Sequence, residues 1–212
     1  MSKDDEQILV VKSDIIFKDP PSHEASAGRG GKWQGLKTDN LDYYIDLIKK
    51  NAEFKRRGDM EENESYQQII PYVVFNFKDK YFIYKYLPKA GEPRLVDTYQ
   101  LGIGGHINLI DGENNKNVLD AGMMREWNEE VDFKGNILEK NLVGLLKDDS
   151  KPVERVHLGL VYNFVGDSPE IYIKETDKMA GELIDKKDIG KYIKGNPGVW
   201  VQIVYNEYLK KL

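Results

Sequence analysis

The sequence predicts an α/β fold, a mixed β-sheet with helices packed on it. Strand-like and helix-like segments interleave along the chain, and about 40% of its 212 residues are hydrophobic, enough for one full core. Ile8-Leu9-Val10-Val11 reads as a short buried strand. Residues 19–31 are rich in Pro, Ser and Gly and read as a loop. Beyond it Leu41, Tyr44, Ile45 and Ile48 follow the i, i+3, i+4, i+7 spacing of an amphipathic helix. A polar stretch, 56–68, then separates an N-terminal extension over 1–66, expected to pack on the core, from a domain over 67–212.

From Ile69 the texture changes. Runs at 69–77 and 81–86 are β-branched and aromatic, and Lys78-Asp79-Lys80 between them signals a hairpin. Leu101-Gly102-Ile103-Gly104-Gly105-His106-Ile107 is a glycine-dense strand end, where backbone can approach a ligand closely. A helix is expected over 118–131 and strands over 142–146, 156–165 and 171–173. From Gly198, Trp200, Ile203, Val204 and Tyr208 fall on one broad helical face and predict a docked terminal helix.

Composition excludes several function classes. The chain carries 31 Lys and Arg against 36 Asp and Glu, a net charge of -5. Its one basic cluster, Lys55-Arg56-Arg57, is followed by Asp59, Glu61, Glu62 and Glu64, so it reads as a solvated mixed-charge face and no nucleic-acid partner is expected. No apolar run approaches the ~18–20 residues of a membrane helix, so no membrane partner is expected either. With no cysteine there is neither a disulfide nor a thiolate zinc site, which favours a cytoplasmic address. The three histidines, His23, His106 and His157, are too widely spaced to suggest zinc.

The segment that carries chemistry is Asp120-Ala121-Gly122-Met123-Met124-Arg125-Glu126-Trp127-Asn128-Glu129-Glu130-Val131. On a helix, Glu126, Glu129 and Glu130 share one face, while Met124, Trp127 and Val131 point to a core. Like charges at i, i+4 oppose the helix by roughly 0.2–0.5 kcal/mol per pair. Such a face is either solvated surface or a seat for a hard cation such as Mg²⁺, which favours carboxylate oxygens and can hold a phosphate. The glycine pair Gly104-Gly105 shortly before it favours the second reading.

These residues resemble the Nudix hydrolases, whose signature has the form G-x5-E-x7-R-E-U-x-E-E-x-G-U, with U bulky and apolar. Arg125-Glu126-Trp127-Asn128-Glu129-Glu130-Val131-Asp132-Phe133 fits its second half, with Asp132 where the family has glycine. Gly104-Gly105 resembles its opening pair, and the run Gly102–Asn108 is similar to a branch of the family described as predicted phosphoesterases. The first half departs: about six extra residues lie between Gly105 and Arg125, and Asn117 stands where the family has Glu. With the insertion placed at 110–116, Glu113 becomes the stand-in that supports the loop, with Asp111 and Asp120 as competitors.

The resemblance implies a Nudix α/β/α sandwich and a Mg²⁺-dependent (or Mn²⁺-dependent) hydrolase of a pyrophosphate bond in a nucleoside diphosphate linked to another moiety. It implies Glu126, Glu129 and Arg125 as the catalytic set, Arg125 by holding the loop. Glu126, Glu129, Glu130, the Gly104 carbonyl and Glu175 become metal ligands, with Glu182 the alternative late carboxylate and Glu126 alternatively the base. Gly105, His106 and Arg94 are substrate-binding candidates, and Tyr99, Phe75, Tyr84 and Trp33 are core residues or base-stacking ones. The expected partner is a small-molecule nucleotide or other diphosphate, with a homodimer left open. The competing reading is a non-catalytic Nudix-fold module that senses a nucleotide. Isomerisation of an isopentenyl diphosphate, which some proteins of this fold perform, calls for a cysteine that this chain lacks.

Overall fold

The computed structural model describes residues 2–18, 32–90, 96–113, 117–194 and 198–212. The chain begins with β1 (Gln7–Lys12), α1 (Ser13–Ile16), β2 (Gly35–Lys37), α2 (Leu41–Asn51), β3 (Glu53–Arg56) and α3 (Arg57–Met60). A long hairpin follows, β4 (Tyr66–Phe77) and β5 (Lys80–Tyr86), then β6 (Tyr99–Gln100), β7 (Gly102–Ile103), α4 (Leu109–Gly112) and α5 (Val118–Glu130). The rest is β8 (Val131–Phe133), β9 (Ile137–Lys147), α6 (Pro152–Arg155), β10 (His157–Gly166), β11 (Ile171–Ile173), β12 (Met179–Asp185), α7 (Ile189–Ile193) and α8 (Val199–Glu207).

The main sheet runs β12-β5-β4-β10-β9-β2, and a short second sheet pairs β11 with β8. It is mixed, as expected. β4 and β10 run parallel, from Gln68 opposite His157 to Asn76 opposite Val165, while β9, β5 and β12 run antiparallel to their neighbours. Parallel central strands are buried on both faces, which explains why β4 reads as a continuous apolar run. Its Tyr72 and Val74 join Ile83, Val161, Val201 and Val204 under α7 and α8, while Val73 and Phe75 join Phe82, Met123, Trp127 and Phe164 under α5. The result is a sandwich of helices, sheet and helices, as the family resemblance implies.

The far edge of β4 is shared by three strands in turn, and this sharing builds the site. β1 pairs with residues 66–68, β7 with Val73 and Val74, and β5 with Asn76 and Phe77. Pro71, which has no N–H to give a ladder, falls in the gap between the first two partners. The backbone after β7 crosses that gap to reach β1, where the Leu9 amide donates to the Ile107 carbonyl at 2.8 Å.

Three features differ from the sequence expectation. Residues before β4 do more than lie against the core, because β1 and β2 hydrogen-bond into the main sheet and β3 extends it through β1. The polar stretch 56–68 is no spacer: Gln67 and Gln68 are fully buried. The Gln67 amide donates to Ser13 Oγ and the Arg155 carbonyl, and the Gln68 amide to the Met60 carbonyl. Glu182 lies on the exposed side of a strand, β12, rather than in a loop. Among the described residues, no helix is long and apolar enough to cross a membrane.

Candidate active site

Arg125 organises the site. All five of its N–H donors are used: Nε and Nη2 grip the two oxygens of Asp111 at 2.9 and 3.0 Å, and Nη2 also reaches the His106 carbonyl at 2.7 Å. Nη1 bridges Glu126 Oε1 at 2.8 Å and Glu129 Oε2 at 2.9 Å. Asp111 is buried and its second oxygen also accepts the Asn108 amide at 2.8 Å, so it caps α4 while holding α5 through the arginine. The loop partner of Arg125 is therefore Asp111, and the expectation of Glu113 is corrected: Glu113 is exposed, just past the end of α4. Asp120, the other competitor, sits in the first turn of α5 and lies 3.8 Å from Lys140.

The glycine pair meets this helix directly. A Cβ on Gly105 would lie 2.4 Å from Glu126 Oε2, and one on Gly104 would lie 1.8 Å from the Pro71 carbonyl oxygen, so neither position admits a side chain without displacement. Burial pushes the Glu126 carboxyl above its usual range, Arg125 opposes that, and Glu129 and Asp111 add to it. Burial likewise raises Glu130, and Glu126, Glu175 and Glu129 raise it further. Glu175 arrives by a separate route: β11 pairs with β8, and the Lys174 amide donates to the Glu130 carbonyl at 2.9 Å. Lys178 holds Glu175 at 2.9 Å.

No family model matches the chain. Protein YmaB of Bacillus subtilis (strain 168) is 32% identical over 194 residues, covering 89% of this chain and 90% of its own. The crystal structure of Tm1382, a candidate Nudix hydrolase, is 30% identical with a TM-score of 0.79, and the match covers 98% of this chain and 100% of that one. The chain belongs to the Nudix hydrolases. A NUDIX-family hydrolase from Clostridium perfringens aligns at 18% identity and a TM-score of 0.44, over 68% of this chain and 97% of its own.

In this Nudix chain the acid face and the bare glycine crossing stand side by side. Asp111, Glu126, Glu129, Glu130 and Glu175 form one group, with Arg125 and Lys178 as the cations paired into it. By type and charge these donors fit a hard divalent ion. Among the described residues no three His, Asp or Glu side chains converge on a single point, because Glu126 and Glu129 both turn toward Arg125. All of the Arg125 N–H groups are thus spent on protein acceptors that tie α5 to the crossing loop. Arg94 and His23 lie outside the described residues.

The aromatic candidates resolve mostly to the core. Phe75 and Tyr84 are buried under α5, and Tyr84 donates its hydroxyl to the Gly102 carbonyl at 3.1 Å. Trp33 packs against Phe17 and Tyr44, and Tyr99 meets Tyr192 edge-on. A cavity of about 410 Å³ beside Gly105 is lined instead by His106, His157, Tyr72 and Trp200, with Lys151 and Glu154 also in its wall, and among these only His106 is a binding residue expected from the sequence.

His106 and His157 pack with ring centroids 5.6 Å apart. The Gln68 amide nitrogen is committed to Met60, so its oxygen faces His106 and fixes that ring as the Nε2–H tautomer, at 2.6 Å. His157 Nδ1 donates to the Val153 carbonyl. Burial pushes both imidazoles below the ordinary value near 6.5, furthest for His106. A histidine depressed in the fold leaves stability intact above its unfolded value. As pH falls below about 6.5 toward the folded value, each can remove up to about 1.4 kcal/mol per pH unit. Glu126 and Glu130, raised in the fold, act in the opposite sense, so variants isolate the histidines. Urea midpoints measured from pH 7.5 to 5.5 are expected to fall less steeply in His157→Asn than in the unaltered chain, and equal slopes would exclude this account.

Proposed function

We propose that this chain hydrolyses a pyrophosphate bond in a nucleoside diphosphate linked to another moiety, assisted by Mg²⁺ or Mn²⁺. The observation that carries the reading is the group of carboxylates on α5, two of them raised by burial, with Glu126 packed directly against the bare backbone of Gly105. Glu129 and Glu130 would hold the ion, with Glu175 and the Gly104 carbonyl to complete its shell and Glu126 as either a third ligand or the base. When bound, such an ion neutralises charge on phosphate oxygens and acidifies a ligated water. For their part, Glu129 and Glu126 must leave Arg125 Nη1 to face it. Glu126, half-buried and raised, is suited to take the proton of the attacking water as its oxygen bonds to phosphorus and the bridging oxygen departs with the other phosphate. Arg125 and Asp111 keep α5 and the crossing loop in register throughout.

The test is a panel of nucleoside diphosphate derivatives with Mg²⁺ or Mn²⁺, following nucleotide and phosphate release. Glu129→Gln, at a largely exposed side chain, is expected to lower kcat by about 100-fold or more while the fold is retained. Unchanged turnover would remove the metal role. One observation favours a non-catalytic sensor: Glu126 and Glu129 are both already neutralised by Arg125 Nη1. Tight binding of such derivatives with no product would decide for the sensor.

A further inference from the structure

β4 enters the sheet through two adjacent glutamines that are both fully buried, ahead of residues 69–75, which are buried throughout. A buried amide costs stability unless both its ends are paired, and an apolar side chain of similar volume would carry no such cost. Successive strand residues point to opposite faces, and these two amides spend their bonds accordingly. Gln67 bonds Ser13 Oγ and the Arg155 carbonyl, and none of its side-chain bonds reaches the loop that crosses from β7 to β1. Gln68 does reach that loop: its nitrogen donates to the Met60 carbonyl of α3 at 3.1 Å, and its oxygen meets the His106 ring at 2.6 Å. One buried side chain thus joins the segment before β4 to the residue that follows the glycine pair.

The other supports of the loop act on its backbone. The Leu9 amide donates to the Ile107 carbonyl at 2.8 Å, Asn108 pairs with Ile8, and Arg125 Nη2 donates to the His106 carbonyl at 2.7 Å. Gly104 and Gly105 have no side chain by which to be held, yet they stand at the closest quarters, against the Pro71 carbonyl and Glu126. The nearest side-chain handle on them is the His106 ring, held by Gln68 with the His157 ring packed 5.6 Å away. We propose that Gln68 is a positioning residue for the reaction: by holding the His106 ring it sets the Gly104–Gly105 backbone against α5. The proposal rests on the reading of this corner as a metal-assisted hydrolytic site, in which the Gly104 carbonyl completes the ion's shell. Removing a group that orients a ligand without touching the ion typically costs about 10- to 100-fold in metal affinity or activity. The segment before β4, through β1 and α3, therefore frames the site as well as the sheet.

The experiment compares Gln68→Met, Gln68→Glu and Gln67→Met with the parent, all as full chains. Methionine fills the volume and bonds neither partner, whereas glutamate keeps an acceptor for His106. Gln67→Met removes an equally buried amide from the other face, so it loses stability without releasing the loop. The backbone amide resonances of Gly104 and Gly105, recorded in EDTA, are expected to move in Gln68→Met, to stay in place in Gln67→Met, and to return toward the parent's in Gln68→Glu. In turnover assays Gln68→Met should need about 10-fold more Mg²⁺ for half-maximal rate, Gln67→Met no more than the parent, and Gln68→Glu should recover most of the difference. Should methionine at 68 prevent folding, Gln68→Asn, one methylene too short to span Met60 and His106, takes its place with the same expected shifts. Unmoved glycine resonances, equal displacement by the variants at 67 and 68, or moved resonances in an active enzyme with an unchanged Mg²⁺ requirement would overturn the proposal. A parent inactive on every diphosphate would retire the hydrolytic reading, and the metal-free resonances alone would then decide whether Gln68 sets the loop.

Discussion

Arg125→Ala is expected to destabilise the chain by about 3 kcal/mol, the lower end of the range for breaking a buried ion pair. The arginine is the partner of four separate acceptors, and Asp111, whose side chain is 4% exposed, would keep a charge with only the Asn108 amide to meet it. Glu129 can return to water because its side chain is 59% exposed, which is why the figure is not larger. The guanidinium is held well above its ordinary range despite its burial, consistent with a net gain from the carboxylates around it. Arg125→Lys should recover little of the loss. A single ammonium cannot span Asp111, Glu126, Glu129 and the His106 carbonyl, which the planar fork reaches together. Adding Asp111→Ala to Arg125→Ala should restore part of the stability, since it removes the unpaired charge itself. Urea denaturation of the four proteins checks this. A single Arg125→Ala variant within 1 kcal/mol of the parent would show that the clamp is ornamental to the fold.

The same clamp shows what the sequence discloses and what it hides. The helix that became α5 was legible because its apolar and acidic residues follow a single period, and the hairpin of β4 and β5 because β-branched runs flank a short turn. The loop partner of Arg125 was not legible from motif spacing, since the insertion leaves acids at 111, 113 and 120 in competition. A local signal did exist: Asn108 followed three residues later by Asp111 has the form of a capping box, which ties that carboxylate to the start of a helix. Residues 66–68 misled because glutamines look solvated in sequence, whereas here their amides reach partners as distant as Arg155. The cavity was hidden for a related reason. Its aromatic wall depends on the parallel register of β4 against β10, a long-range pairing that no local period encodes.

Lys147→Met is expected to lower stability by about 3 kcal/mol and to loosen one wall of that cavity. Lys147 ends β9 as the last residue of a buried strand segment, and its side chain is fully enclosed. Its ammonium lies 3.1 Å from the Asp148 and Glu154 carbonyls, 2.9 Å from the Arg155 carbonyl and 2.7 Å from the Asp149 carboxylate. One cation thus draws the turn between β9 and β10 around itself. Burial pulls its pKa down and Asp149 pulls it back, so the charge is kept by its surroundings rather than by water. Methionine would fill the volume but leave those carbonyls without a donor, while Asp149 would retain only Lys32, at 2.9 Å. The turn so released carries Val153, whose carbonyl holds the His157 ring at the cavity wall. The His157 ring should therefore lose its fixed setting in Lys147→Met even though Lys147 does not touch it. Denaturation midpoints and the imidazole NMR resonances of His157, compared between the two proteins, check both effects. A variant as stable as the parent would mean that a neutral side chain of the same length closes the turn equally well.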